Sequence, residues 1–451
     1  MMRRRAQYLL PTALACLSVL VACEEVEQVQ DRFRDLTPHE EYLASLEDAG
    51  LGDAALARDW IAASRRALDE PLDVSLPFRE QGFIAPEEAG ATAYRVAVGR
   101  GQRLTVEVAL EGDEGTRVFV DLFRVPEDPQ DPLRPLLSSD SVPGTFVHEP
   151  MRGGDFVLRI QPELLRGGRY QVTLRLEAQL AFPVEGLGPG AIQSVFGDER
   201  EGGRRSHHGV DIFARRGTPV LATSDGVVSR VQVTRLGGKV VWLRDSPRNA
   251  SVYYAHLDSQ YVRDGQRVRT GDTLGFVGNS GNARTTPPHL HFGIYRRGEG
   301  PVDPDPFIRP PRGTLVELTA DGERLGRWVR MADPGIRLRT APSVRADVLR
   351  ELEQHTPLRV LAGSGDWYRV RLPDGREGYV AARLTESVDR PVGTRVADAP
   401  EQLRTAPFLD APVMAEVGAG QELPVLGRFG PYLYVQTPSG RPAWLDAVDD
   451  G

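Results

Sequence analysis

Cysteine is scarce in this chain. Only two cysteines occur among the 451 residues, and both, Cys16 and Cys23, lie close to the N-terminus. The rest of the chain has no thiol with which to form a disulfide. We therefore expect its stability to come from burial of apolar side chains rather than from disulfides.

The chain offers no apolar segment that predicts a membrane span. Residues 8–22 are apolar and follow the basic residues 3–5, but they are too few to cross a bilayer and are typical of a signal peptide. They end in Leu20-Val21-Ala22-Cys23, which resembles a bacterial lipobox and implies lipidation of Cys23; the alternative is an ordinary signal peptide with a chance cysteine. Acyl chains on Cys23 would anchor the protein without spanning the membrane. By analogy with the sorting rule for bacterial lipoproteins, Glu24 rather than Asp after Cys23 favours the outer over the inner membrane.

Lysine is nearly absent, and basic charge as a whole is outnumbered. Lys239 is the one lysine, and 55 basic residues face 63 acidic ones, for a formal charge of −8. Removal of the leader with its arginines makes the charge more negative still. An acidic protein gains no long-range attraction to nucleic acid or to anionic wall polymers, so we expect no nucleic-acid partner. Localisation must then come from the lipid and from short-range binding modules.

Two helices are predicted before residue 72. Thr37-Pro38-His39-Glu40 predicts a helix start, with Thr37 as N-cap, Pro38 as first helical residue and Glu40 as the reciprocal cap. His39 is expected to be solvated there. A second helix is expected from Asp53, with Leu56, Trp60, Ala63 and Ala67 on one face.

Residues 72–182 change to an alternation of apolar and polar residues. Several short alternating strands separated by glycine turns predict an antiparallel β-sandwich. No residue there suggests chemistry, and His148 stands alone. We expect an accessory domain that acts as a spacer or binds a ligand.

The stretch His289-Leu290-His291-Phe292 carries the chemistry. It follows two prolines and is predicted to be a strand, on which side chains alternate between faces and rise about 3.3 Å per residue. His289 and His291 would then share a face, about 6–7 Å apart, while Leu290 and Phe292 face a core. Taken alone, the pair is also compatible with two surface histidines.

Three further residues strengthen the case for a metal site. His207 and Asp211 form an H-x-x-x-D pair, and His256 lies in an apolar run between the two motifs. Two histidines and one carboxylate, with a fourth position left to water, are how a catalytic zinc site is built, and zinc lowers the pKa of a bound water to about 7. Two histidines remain for proton transfer and charge stabilisation. His208 is not expected to be a ligand, because a strand beginning there would turn it away from its neighbours.

These motifs resemble the lysostaphin/LytM family of zinc endopeptidases, which cut peptide bonds in bacterial peptidoglycan. The resemblance covers roughly residues 185–310. It implies that His207, Asp211 and His291 hold one zinc ion and that His256 and His289 act on the scissile bond, with the general base left open between them. Arg284-Thr285-Thr286-Pro287-Pro288 is longer than the approach in many members, which affects substrate preference rather than the metal site.

An internal repeat follows residue 311. Leu338-Arg339-Thr340-Ala341-Pro342 recurs as Leu403-Arg404-Thr405-Ala406-Pro407. The two copies resemble tandem bacterial SH3-like barrels, the second more diverged. Such modules often bind cell-wall peptides; the alternative is that they are spacers or pack on the catalytic domain.

The sequence thus predicts a mainly β, multidomain protein. The expected parts are a signal peptide (1–22), a linker and helical segment (23–71), the β-sandwich (72–182), an antiparallel-β zinc peptidase domain (185–310) and two SH3-like barrels (326–388 and 391–449). The expected function is that of a lipid-anchored zinc endopeptidase acting on peptidoglycan crosslinks from the periplasmic side of the cell envelope, with a possible activator or wall-synthesis partner. The alternatives are a non-catalytic wall-binding protein that recruits or activates another hydrolase, and a zinc peptidase for other glycine- or D-amino-acid-containing peptides.

Overall fold

The structure is a computed structural model that describes residues 36–447, apart from 113, 114, 142 and 201. The predicted signal peptide and Cys23 lie outside these residues. Within the described part of the chain, no helix is both long and apolar enough to cross a membrane. Strands predominate throughout, which confirms the mainly β, multidomain fold.

Two helices, α1 (Pro38–Asp48) and α2 (Ala55–Asp69), precede the first strand. The predicted cap of α1 is present, since the Thr37 amide donates to Glu40 Oε2 and the Glu40 amide donates to Thr37 Oγ1. The expectation that His39 is solvated was wrong. Its ring stacks on Trp60, and Nε2 lies 2.9 Å from Gln161 Oε1, because both helices pack on the sandwich instead of facing solvent.

The predicted β-sandwich has two sheets enclosing an aliphatic and aromatic core. One sheet has the order β1-β3-β8-β5-β6 and the other contains β2-β9-β4-β7. The strands are β1 (Leu72–Asp73), β2 (Phe78–Ile84), β3 (Thr92–Val98), β4 (Gln102–Glu111), β5 (Val118–Arg124), β6 (Pro135–Ser139), β7 (Gly144–His148), β8 (Gly154–Pro162) and β9 (Gly168–Ala178).

The histidine-bearing region is built on an antiparallel sheet, β10-β13-β21-β17-β16-β15-β19, with β22 added beside β21. A smaller sheet, β14-β20-β18, covers one face, and a short helix α3 (Asp305–Ile308) follows. The strands are β10 (Ile192–Ser194), β11 (Glu199–Arg200), β12 (Arg205–Ser206), β13 (Val210–Phe213), β14 (Pro219–Leu221), β15 (Gly226–Thr234), β16 (Gly238–Asp245), β17 (Ala250–Leu257), β18 (Ser259–Gln260), β19 (Arg267–Val268), β20 (Thr273–Phe276), β21 (His289–Arg296) and β22 (Gly300–Val302).

The repeat predicted after residue 311 is visible strand by strand. Six strands of the first barrel recur in the second, each displaced by 65 residues, so that Trp328–Met331 corresponds to Gly393–Val396. The strands are β23 (Trp328–Met331), β24 (Ile336–Arg339), β25 (Val348–Leu352), β26 (Pro357–Ser364), β27 (Trp367–Arg371), β28 (Glu377–Ala381), β29 (Thr385–Ser387), β30 (Gly393–Val396), β31 (Glu401–Arg404), β32 (Val413–Val417), β33 (Glu422–Phe429), β34 (Tyr432–Gln436) and β35 (Pro442–Asp446).

The first barrel is joined to the sandwich by a shared sheet. Strand β2 pairs with β26 through Gln81↔Gly363 and Gly82↔Ala362, so one sheet of 11 strands runs from barrel to sandwich. A buried carboxylate, Glu80, lies at this junction and accepts hydrogen bonds from the Arg369 guanidinium of the barrel. The barrel is therefore a fixed part of the body, a relation that the sequence pattern did not show.

The histidine-bearing region is likewise held on the sandwich by charged contacts. Arg248 bridges Glu149 of the sandwich, at 2.8 Å, and Asp245 of its own domain, also at 2.8 Å. Arg296 at the end of β21 donates to the Met151 carbonyl at 2.8 Å. These contacts fix the sheet that presents the site.

Candidate metal centre

Strand β21 presents its two histidines as the alternation predicted. Leu290 and Phe292 are fully buried in the core, and His289 and His291 project from the opposite face. The neighbouring strands add to that face, because Asp211 on β13 lies directly opposite His291. The site is thus assembled across adjacent strands of one sheet.

His207, Asp211 and His291 converge on one point. His207 Nε2 lies 3.0 Å from Asp211 Oδ1 and 3.0 Å from His291 Nδ1, and the last two atoms are 2.9 Å apart. Among the described residues this trio is the group of histidine and carboxylate side chains placed to share a metal ion. All three residues predicted as ligands are therefore brought together.

Hydrogen bonds orient these side chains from behind. His207 Nδ1 donates to the Val195 carbonyl at 2.8 Å, which leaves the Nε2 lone pair directed at the cluster. Arg200 Nη2 donates to Asp211 Oδ2 at 2.8 Å and so leaves Oδ1 facing the histidines. Burial alone would raise the pKa of Asp211, but the adjacent His207 and His291 side chains outweigh it and hold that pKa well below its usual range. Asp211 is accordingly a carboxylate at neutral pH.

Gly209 permits a close approach of the backbone beside the metal cluster. A Cβ at this residue would lie 2.4 Å from the Phe292 carbonyl oxygen and 2.8 Å from His291 Cε1. Real Cβ atoms do not come this close to other heavy atoms. Only glycine, which has no Cβ, allows the loop that carries His207 to approach β21 this closely.

His256 and His289 form a second pair beside the cluster. Their ring centroids are 5.0 Å apart, and the His256 ring is 5.9 Å from that of His291. His256 Nδ1 donates to the Ser280 carbonyl and His289 Nδ1 donates to the Pro287 carbonyl, each at 2.9 Å. Because a carbonyl can only accept, both rings carry their proton on Nδ1 and keep a lone pair on Nε2 when neutral. Burial, reinforced by the neighbouring imidazoles, lowers the pKa of His256 to about 4, so it is neutral at pH 7.

A β-bulge turns His256 toward the site. Strict alternation after Tyr254, which is fully buried, would place His256 on the core face as well. The register between β16 and β17 shifts between Lys239 and Val241, and His256 adopts a left-handed backbone with φ of 62°. Such backbone strain is of the order of 1–3 kcal/mol and is tolerated where surrounding structure imposes it. Here the His256 amide donates to the Gly237 carbonyl at 2.8 Å, which holds the bulge.

All five predicted residues open onto one groove of about 560 Å³. Tyr253 lines it, whereas Tyr254 belongs to the core and its hydroxyl contacts Thr223. His208 at the rim stacks on Phe196, outside the ligand cluster.

Several residues of the groove were not found from the sequence, among them Arg200, Trp242 and Tyr295. Tyr295 could have been found, because it lies an even number of residues after His291 on the same strand. Arg200 lies on a two-residue strand with no periodic signal, and only the fold brings it to Asp211.

Comparison with known proteins places two parts of the chain. Residues 205–304 match the family model described as peptidase family M23, and residues 334–386 match that of the bacterial SH3 domain. The L-Ala–D-Glu endopeptidase of Bacillus subtilis is 41% identical over 140 residues, which is 29% of this chain and 43% of that protein. The peptidoglycan DD-endopeptidase ShyC of Vibrio cholerae is 39% identical over 88 residues, 20% of each chain.

A solved structure is also similar. The catalytic domain of lysostaphin from Staphylococcus simulans is 32% identical and has a TM-score of 0.23, with 25% of this chain and 87% of that one covered. The chain spans less than half the length of the two curated relatives.

Proposed function

We propose that this chain, whose residues 205–304 form a peptidase domain of family M23, is a zinc endopeptidase that hydrolyses peptide bonds of bacterial peptidoglycan. One observation carries the proposal: His207, Asp211 and His291 present three ligand atoms at one point of a groove, with His256 and His289 beside them. The substrate class is supported by relatives whose names describe endopeptidases, one of them explicitly of peptidoglycan.

The donor set fits zinc. Two imidazoles and one carboxylate form the protein part of many catalytic zinc sites, with bonds of about 2.0–2.2 Å. Separations of 2.9–3.0 Å between the donor atoms are short enough for one ion to contact all three. Burial lowers the pKa of His291, while Asp211 opposes this, so the imidazole is neutral at pH 7 and its nitrogen is free to bind. We therefore assign one zinc ion to these three residues.

A zinc ion held by His207, Asp211 and His291 would supply a Lewis acid for the scissile carbonyl and would lower the pKa of a bound water molecule to about 7. The remaining chemistry belongs to His256 and His289. Each keeps a lone pair on Nε2, so either can accept the proton of the attacking water and return it to the departing amine. Whichever imidazole is protonated also stabilises the negative charge that develops on the carbonyl oxygen. Such proton transfer contributes about 10²- to 10⁴-fold to the rate.

The lipid anchor is a separate part of the proposal. Lipidation of Cys23 would anchor the enzyme in the cell envelope, at the outer membrane and facing the periplasm, the compartment that contains peptidoglycan. Labelled palmitate supplied to cells should then be incorporated into the wild type and not into the Cys23→Ser variant. A wild type that incorporates no label would refute lipid anchoring and leave the enzymatic proposal untouched.

Digestion of purified sacculi tests the activity. Residues 24–451, loaded with zinc, should convert crosslinked muropeptide dimers to monomers or shorten stem peptides, and mass spectrometry of the products names the bond that is cut. His291→Ala and a chelator-treated sample should release nothing. A folded, zinc-loaded protein that releases no muropeptides would favour the alternative, in which the chain binds the wall and recruits or activates another hydrolase.

A further inference from the structure

Three aromatic side chains form a continuous surface beside the metal cluster. Trp242 on β16 contacts both Tyr253 on β17, with ring centroids 4.4 Å apart, and Tyr295 on β21, at 5.2 Å. The Tyr253 ring lies 5.9 Å from that of His291. The surface therefore begins at a metal ligand and extends away from it across adjacent strands.

This surface is not part of the core. Trp242 and Tyr253 are cross-strand neighbours, and Tyr253 and Tyr295 share their sheet face with His291, whereas the alternating residues Leu243 and Ile294 on the other face are buried. All three rings line the groove and remain partly exposed. Trp and Tyr rings offer large, rigid contact area at a wet boundary, and a contiguous exposed cluster marks a binding surface.

The charges of the groove disfavour a cationic ligand on these rings. Of the described residues that line the groove, Asp211 is the only acid, and it already pairs with Arg200. Zinc would add two positive charges. An ammonium group attracted by cation–π contacts would be repelled by this surplus, so a neutral group with an apolar face is the better occupant.

We propose that Trp242, Tyr253 and Tyr295 form a subsite for a sugar ring of the glycan strand, an inference that rests on the proposed peptidoglycan endopeptidase function. The stem peptides of peptidoglycan carry small or charged side chains and no flat apolar group, whereas its pyranose rings have apolar C–H faces that match an aromatic ring. The subsite extends over two inter-strand spacings of about 4.8 Å from β21 to β16. A peptide spans about 3.3–3.6 Å per residue, so a stem whose scissile bond lies at the metal would reach Trp242 with its sugar within about three residues.

The test compares one peptide with and without its sugars. Crosslinked disaccharide–peptide dimers, and the same dimers after an amidase has removed the disaccharides, are offered to zinc-loaded 24–451, and kcat/KM is measured for each. The wild type should prefer the sugar-bearing dimer by about three- to tenfold, the range expected for one stacking contact. Trp242→Ala should abolish the preference by slowing only the sugar-bearing dimer, and Trp242→Phe should retain it.

Tyr261→Ala is the matched control, because Tyr261 is 72% exposed on the same domain and does not line the groove. It should leave both rates unchanged. Equal cleavage of the two dimers by the wild type, or an equal loss on both in Trp242→Ala, would overturn the sugar subsite while leaving the endopeptidase intact. Failure to cleave either dimer would instead refute the proposed function, and the subsite with it.

Discussion

The buried ion pair between the sandwich and the first barrel gives a prediction whose size can be worked out. Glu80 is fully buried and Arg369 is 4% exposed. Arg369 Nη2 donates to Glu80 Oε1 at 3.0 Å, and Tyr94 and Tyr170 donate to the same oxygen at 2.6 and 2.8 Å. Arg369 is the only cation among these three donors, so Arg369→Met leaves the Glu80 carboxylate with neutral donors alone. Removing one partner of a buried pair destabilises by about 3–5 kcal/mol, because the other charge is left uncompensated.

The same contacts predict how the loss can be repaired. In the double variant Glu80→Gln/Arg369→Met neither member of this buried ion pair is charged, and the glutamine carbonyl still accepts from the two tyrosines. Replacing both members of a buried ion pair by neutral groups is often close to neutral in stability. We therefore expect the double variant to recover most of the loss.

Hydrogen exchange followed by mass spectrometry measures the change in local stability at this junction in the full-length protein. Peptides covering 78–84 and 357–364 report the β2–β26 junction, and 3–5 kcal/mol corresponds to exchange about 10²- to 10⁴-fold faster in Arg369→Met. Arg337→Met is the control, because its ion pair with Glu351 is exposed and is worth about 0–1 kcal/mol. Unchanged exchange at the junction in Arg369→Met would show that the barrel does not share its sheet with the sandwich in solution.

Three further predictions concern the site and the helical layer. His256→Ala should keep its zinc, measured by metal analysis, and should lose about 10²- to 10⁴-fold in kcat. Equal zinc loss in His256→Ala and His291→Ala would contradict this division of roles. Gly209→Ala should lose both zinc and stability, because its Cβ would meet the Phe292 carbonyl at 2.4 Å, whereas Gly190→Ala, with nothing within 4 Å, should lose neither. Burial, with Arg159 nearby, lowers the pKa of His39 to about 4 in the folded protein. Between about pH 6.5 and 4, His39 is therefore protonated in the unfolded state and neutral in the folded state. The free energy of unfolding should fall as the pH drops through that window. His39→Gln should flatten this fall in thermal unfolding curves, and an unchanged slope would assign it to other groups.

The sequence by itself determined those features that rest on local pattern. The capping box at Thr37 and Glu40 forms as predicted, because both partners lie within one helical turn. The 65-residue sequence repeat forms corresponding strands in both barrels, because equal patterns of apolar residues and turns dictate equal local folds. His289 and His291 share a face for the same reason, the two-residue period of a strand. Spacing and residue type, together with the family resemblance, were sufficient to select the five residues that the fold brings together.

The tertiary structure alone decided the features that depend on contacts between distant segments. His256 faces the groove only because a bulge held by Gly237 overrides the alternation of β17. Arg369 reaches Glu80 across 289 residues, and no local pattern encodes that pairing or the shared sheet around it. His39 is buried because its helix lies on the sandwich, and burial by another segment cannot be seen from a helix start. Periodicity fixes which way a side chain points along its own element, whereas what it meets there is set by packing between elements.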